Sequence, residues 1–96
     1  MLTIRTTIHF DHWLEGLKDE ATRQRINIRI RRVSLGNFGD IKPVGEGVSE
    51  LRIDYGPGYG VYLIQRVDVI LLCGGDKSSQ PVDITLAKRL AREDFH

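Results

Sequence analysis

Three runs in the second half of the chain restrict the fold more than anything else in it. "SELRIDY", residues 49–55, alternates strictly, with Leu51, Ile53 and Tyr55 on one side and Glu50, Arg52 and Asp54 on the other. "YGVYLIQ", residues 59–65, follows the turn Gly56-Pro57-Gly58, and "DVILLC", residues 68–73, follows a short Arg66-Val67 connection. Side chains in a strand alternate between faces, so the first two runs predict a hairpin with one apolar face. The third is apolar on both faces, the signature of a central strand. A chain with three adjacent strands must build a sheet and bury it.

The rest supplies the cover. "LTIRTTI" is short and β-branched and reads as a first strand. Asp11 is the expected N-cap of a short helix carrying Trp13, Leu14 and Leu17, and Asp19-Glu20 opens a second helix that closes at "LGN". Within "RINIRIRRV" two periods compete. Ile26, Ile28 and Ile30 have strand spacing, while Ile26, Ile30 and Val33 have helical spacing. The caps and the length favour the helix, which turns Ile28 away from Ile26, toward the first helix or a partner. "GNFGDIKPVGEG" leads into a short proline-bearing strand suited to a sheet edge. Pro81 stands near the start of a last helix with Ile84, Ala87, Leu90 and Ala91 on one stripe. The expected order is β-α-α-β-β-β-β-α, an α+β fold with an antiparallel sheet and helices against one face. With no repeat, low-complexity tract or linker, residues 1–96 read as a single domain.

Composition narrows the class. At 96 residues, with 41% hydrophobic and 28% charged residues, the chain is an ordinary globule large enough for one core. A net charge of +1 gives no bulk attraction to nucleic acid, so any basic surface must come from clustering. The single Cys73 lies in an apolar run and has no internal partner, which leads us to expect a buried, reduced thiol in a cytoplasmic protein. No N-terminal apolar region resembles a signal peptide, and the longest apolar run, residues 69–73, falls far short of the roughly 20 residues that span a bilayer.

Gly60 is the anomaly. It falls inside the second strand of the hairpin, where a residue without a side chain weakens the ladder. If Tyr55 faces Tyr59, then Asp54 lies opposite Gly60 and Arg52 opposite Tyr62. Residues 52, 54, 60 and 62 then share the polar face, and Gly60 is a gap beside an arginine.

"WLEGL", "RINIRIRRVSLGNFGDIKPVGEGVSELRIDYGPGYGVY" and "LLCGGDKSSQPVDITLAKRLA" together resemble the RelE/ParE superfamily of bacterial toxins, in its HigB-like or addiction module killer branch. The resemblance runs over roughly residues 7–91. It implies a compact antiparallel sheet with two N-terminal helices and one C-terminal helix. It further implies a toxin neutralised by a cognate antitoxin, many such toxins cutting mRNA on the ribosome and the ParE branch inhibiting DNA gyrase instead. In that family the stretch here written "GPGYGVY" usually carries arginine where this chain has Gly60, in the basic site that handles the scissile phosphate.

RNA cleavage by 2′-hydroxyl attack requires a proton acceptor, cations for the pentavalent phosphate and an acid for the leaving oxygen. The resemblance implies a phosphate clamp of Arg52 with the arginine that this chain lacks at position 60, where Gly60 stands, since the guanidinium fork matches phosphate. Lys77 is a third cation, Gly74 and Gly75 let backbone N–H groups approach an anion, and Asp76 and Asp83 orient these cations or accept a proton. Tyr62 stacks on a base or donates a hydrogen bond. Each has a structural reading too: Arg52 paired with Glu50 or Asp54, "GGDK" as a turn, Asp83 as a helix cap, Tyr55, Tyr59 and Trp13 as core. Arg23, Arg25, Arg29, Arg31 and Arg32, with Lys42 nearby, form the densest basic run and suit ribosomal RNA or an acidic antitoxin. His9, His12 and His96 fit no metal spacing, "GGDKSS" is not a phosphate-binding GxxxxGK[ST] loop, and no cofactor is expected. The leading expectation is a ribosome-dependent mRNA endonuclease, attenuated by Gly60, with a helix-turn-helix, HigA-like antitoxin and no membrane partner. The alternatives are a gyrase inhibitor and an inactive antitoxin-binding partner or corepressor.

Overall fold

The computed structural model describes residues 1–94, so His96 lies outside the described residues. Its elements are β1 (Ile4–Thr6), α1 (Ile8–Gly16), α2 (Glu20–Ser34), β2 (Ile41–Gly45), β3 (Val48–Ile53), β4 (Tyr59–Gln65), β5 (Val69–Asp76), a 3₁₀ turn (Lys77–Ser79) and α3 (Gln80–Asp94). This is an α+β fold in the expected order. Pro43 stands in β2, which is an edge strand, as its missing N–H requires.

The sheet runs β1-β5-β4-β3-β2 and is mixed rather than antiparallel. Strands β2 to β5 form an antiparallel meander, but β1 pairs parallel with β5, Ile4 opposite Val69 and Thr6 opposite Leu71. Alternation along a strand reports which faces are buried, not the direction of its neighbour. The direction of β1 was set by the helical crossover that carries the chain from it to the far edge.

The helices also cover both faces, not one. On one side Phe10 of α1 and Ile26 and Val33 of α2 pack on Leu51, Ile53, Val61, Leu63, Val69 and Leu71. On the other, Ala87, Leu90 and Ala91 of α3 pack on Val48, Tyr62, Ile64, Ile70 and Leu72. Burial of both faces of β4 and β5 accounts for their nearly unbroken apolar sequence, and each fully buried Leu or Ile contributes about 1.5 to 3 kcal/mol. Tyr55, Tyr59 and Trp13 pack against the first of these clusters.

The two N-terminal helices show how caps decide boundaries. Asp19 caps α2, its carboxylate accepting from the Ala21 N–H at 3.3 Å and the Thr22 hydroxyl at 2.7 Å. These bonds hold the exposed Asp19 carboxyl below the usual range. Gly36, at φ 90°, terminates the helix as read. For α1 the cap is Thr7 instead of Asp11. Thr7 is extended, its hydroxyl accepts from Phe10 N–H at 3.1 Å and donates to the Leu72 carbonyl, and Asp11 becomes a first-turn residue. That tie between cap and sheet is tertiary, and the local sequence does not contain it.

Candidate functional site

The hairpin places the polar residues. Arg52 lies opposite Gly60, Glu50 opposite Tyr62 and Ile53 opposite Tyr59. The expected register was two residues off, because the loop takes five residues (54–58) rather than three, with Gly56 and Gly58 at positive φ. A shift of two preserves parity, so residues 50, 52, 60 and 62 do share a face. That face is not open to solvent along its length. Helix α3 covers one end of it, its cover stops at Gln80, and beyond Gln80 lies a cleft of about 410 Å³. Gly60 is buried at its floor. Lys42 of β2, Arg52 of β3 and Lys77 of the 3₁₀ turn bring three cations to its walls, from three elements far apart in sequence.

Glu50 is the residue the sequence reading treated only as a neighbour of Arg52. It is 4% exposed, and one oxygen, Oε2, accepts from the Tyr62 hydroxyl and the Gln80 amide, both at 2.8 Å. Among the described residues nothing donates to the other oxygen, Oε1. Since no enclosed polar side-chain atom among the described residues lacks a partner, Oε1 opens onto the cleft. Tyr62 corrects an expectation: at 1% exposed it cannot stack on a base, and its hydroxyl is committed to Glu50. Burial first, then Glu50, drives the phenol far above its ordinary range, so it remains a donor. Its alternation with Glu50 was the available signal, obscured because the covering helix lies 18 residues on, at Gln80.

Arg52 pairs with neither Glu50 nor Asp54. Its Nε donates to Asp40 Oδ1 at 3.1 Å, and its Nη2 lies 3.1 Å from the same oxygen. Lys42 and Lys77 have no ion-pair partner among the described residues. Lys42 thus belongs to this cleft and not to the arginine helix it was grouped with. Asp76 lines the cleft but caps the 3₁₀ turn, accepting from the N–H of Ser78 at 2.8 Å and from its hydroxyl. Those bonds hold its carboxyl below the usual range, which makes it a poor proton acceptor. Asp83 is not among the cleft's lining residues. It accepts from the Ser79 hydroxyl behind Gly75, and burial raises its pKa.

The paired glycines serve packing rather than anion approach. Both lie within the β4–β5 ladder, Gly74 opposite Val61 and Gly75 opposite Gly60. A Cβ at 74 would come within 2.4 Å of the Trp13 ring, and one at 75 within 1.8 Å of Asp83 Oδ2. A Cβ at 60 would sit 2.8 Å from Glu50 Oε2 and 2.9 Å from the Tyr62 oxygen. Gly60 is therefore matched to the Glu50–Tyr62 bond of this chain.

The basic run occupies the other side of the sheet, on α2. Arg23 donates to the Leu17 carbonyl, Arg25 lies over the Tyr55 ring at 4.8 Å, and Arg29 donates to the carbonyls of Phe38 at 3.0 Å, Asp40 at 3.4 Å and Arg52. Three of the five arginines thus hold the molecule together, while Arg31 and Arg32 are exposed. Ile28, half exposed, lies between Arg25 and Arg32 in a groove of about 230 Å³. His9 and His12 are exposed on α1, apart from the cleft. Among the described residues no group of three His, Cys, Asp or Glu side chains is placed to hold a metal ion, and no helix is long and apolar enough to cross a membrane.

No family model matches the chain. A solved solution structure, that of a conserved hypothetical protein from Helicobacter pylori, superimposes with a TM-score of 0.51 at 19% identity, covering 81% of this chain and 97% of that one. That likeness is one of fold. A Haemophilus influenzae protein, described as uncharacterized, is 56% identical over 94 residues, 96% of this chain and 95% of its own length. At that identity over nearly the full length of both, the chain belongs to the same family as the Haemophilus influenzae protein.

Proposed function

We propose that the protein is a cytoplasmic RelE/HigB-like toxin of a type II toxin-antitoxin module, acting as a ribosome-dependent mRNA endonuclease. The observation that carries this reading is the open oxygen of the buried Glu50 in a cleft walled by Lys42, Arg52 and Lys77. In the reaction, Glu50 Oε1 takes the proton of a ribose 2′-hydroxyl. The 2′ oxygen attacks the adjacent phosphorus, the bond from phosphorus to the 5′ oxygen breaks, and the leaving oxygen takes a proton from the Lys77 ammonium. The products are a 2′,3′-cyclic phosphate and a 5′-hydroxyl. The cations stabilise the charge on the pentavalent phosphate, each such donor typically contributing about 3 kcal/mol. Tyr62 and Gln80 fix the carboxylate and Asp76 shapes the 3₁₀ turn that presents Lys77. Exposed Arg31 and Arg32 supply a basic face for ribosomal RNA or for the antitoxin.

One observation favours a second reading, an inactive antitoxin-binding partner: Arg52 is already paired and position 60 carries no cation. Induced expression decides between them. The wild-type chain is expected to arrest growth and cut translated messages, and Glu50→Gln to lose about 10²- to 10⁴-fold of the cleavage. Arrest with intact messages, or cleavage unchanged in Glu50→Gln, overturns the proposal. Inhibition of supercoiling by the purified protein would point to gyrase instead.

A further inference from the structure

Arg52 does not stand open in the cleft. The edge of its guanidinium that bears Nε and Nη2, which suits a phosphate in bidentate fashion, is occupied by Asp40 Oδ1. The opposite layer holds that carboxylate there. Arg29 of α2 donates to the carbonyls of Phe38, Asp40 and Arg52, and the Arg52 N–H donates to the Asp40 carbonyl at 2.8 Å. The backbones on both sides of the pair are therefore tied together, while its two side chains stay about half exposed, at 49% and 53%. The cleft also carries four carboxylates (Asp40, Glu50, Asp54 and Asp76) against three cations, so it is no simple sink for anions.

Resting on the nuclease reading for its substrate class, we propose that Asp40 is a built-in competing anion that makes the cleft select a polyanionic backbone over isolated anions. A lone anion gains little by replacing a carboxylate already on Arg52. A phosphodiester chain keeps the hold of Lys42 and Lys77 whether or not it displaces Asp40, so the competition at Arg52, worth about two- to fivefold for an exposed pair, weakens it less than it weakens a lone anion. Asp40 is a specificity-determining residue in this scheme, and Arg29 positions it.

The test follows the Arg52 Nε–H resonance by NMR in the full chain during titration with inorganic phosphate and, separately, with a short RNA carrying uncleavable 2′-O-methyl groups. Asp40→Asn is expected to bind phosphate about two- to fivefold more tightly than wild type, with the Arg52 resonance moving, and to narrow the preference for RNA over phosphate. Asp54→Asn removes the same charge from the same cleft without freeing Arg52, since Asp54 has no ion-pair partner among the described residues, and is expected to gain less. The gain must vanish in Asp40→Asn/Arg52→Gln. The proposal is overturned by weaker or unchanged phosphate binding in Asp40→Asn, by an equal gain in Asp54→Asn, or by an Arg52 resonance that does not respond. Cleavage assays report separately: cleaved RNA with unaltered phosphate affinity defeats the role of Asp40 alone, and altered affinity with no cleavage by wild type defeats the nuclease reading alone.

Discussion

At position 60 the absence of a side chain is part of a bond. Glu50 Oε2 and the Tyr62 oxygen stand where a Cβ would press, so Gly60→Ala must push apart a buried, hydrogen-bonded pair. We expect it to cost about 1 to 3 kcal/mol in chemical denaturation, the range for a buried polar group losing its partner. The cost should be smaller in a Tyr62→Phe background, because there is no bond left to break. Additive losses in that double-mutant cycle would contradict the coupling. Gly60→Arg should likewise displace Glu50 instead of simply adding a cation. Asp83 is a partly buried carboxyl with a sign that can be checked. Burial, its largest influence, raises its pKa above the ordinary 3.8, so as pH rises the unfolded chain gives up this proton first. Stability therefore falls as pH rises from 3.8 through the raised value, and the loss persists above it. Asp83→Asn is expected to melt higher than wild type at pH 7, and the difference should close below 3.8. At this scale the sequence reading chose Arg52, Lys77 and Gly60 from motif order, and they do share the cleft. It passed over Glu50, Asp40 and Gln80 because their partners lie 12, 12 and 30 residues away.

Elements were legible where the signal was local. The competition between strand and helix spacing in α2 went to the helix, as the Asp19 cap and Gly36 terminator indicated, and Ile28 points outward at 50% exposure. The α1 cap was misread because Thr7 acts through Leu72, a residue of β5. Thr7→Ala removes both the cap and the tie to β5. It is expected to destabilise by about 1 to 2 kcal/mol in urea denaturation, against about 0.5 kcal/mol for the same change of a cap in an exposed peptide helix. Gly75→Ala tests the docking of α3, since its Cβ would collide with Asp83. A loss of about 1 to 3 kcal/mol is expected, and an unchanged midpoint would mean that α3 sits farther from β5 than described.

For the molecule as a whole, the double-sided cover makes two measurable statements. Cys73 lies between sheet and α3, and burial, reinforced by Asp83, pushes its thiol up to about 12. At pH 8 the native protein should resist iodoacetamide while the urea-unfolded chain reacts; fast labelling of the native form would contradict this core. The cleft and the arginine helix lie on opposite sides of the sheet, so they can be tested apart. Binding of short RNA should lose about 0.7 of its logarithmic salt slope with Lys42→Gln or with Lys77→Gln, and none with Arg31→Gln. The number of strands and helices and their order could be read from alternation, helical spacing and caps, because those depend on neighbours within a few residues. The parallel pairing of β1, the cover on both faces and the meeting of Lys42, Glu50, Arg52 and Lys77 around Gly60 came only with the assembled chain. They depend on contacts between segments whose separation along the backbone carries no periodic trace.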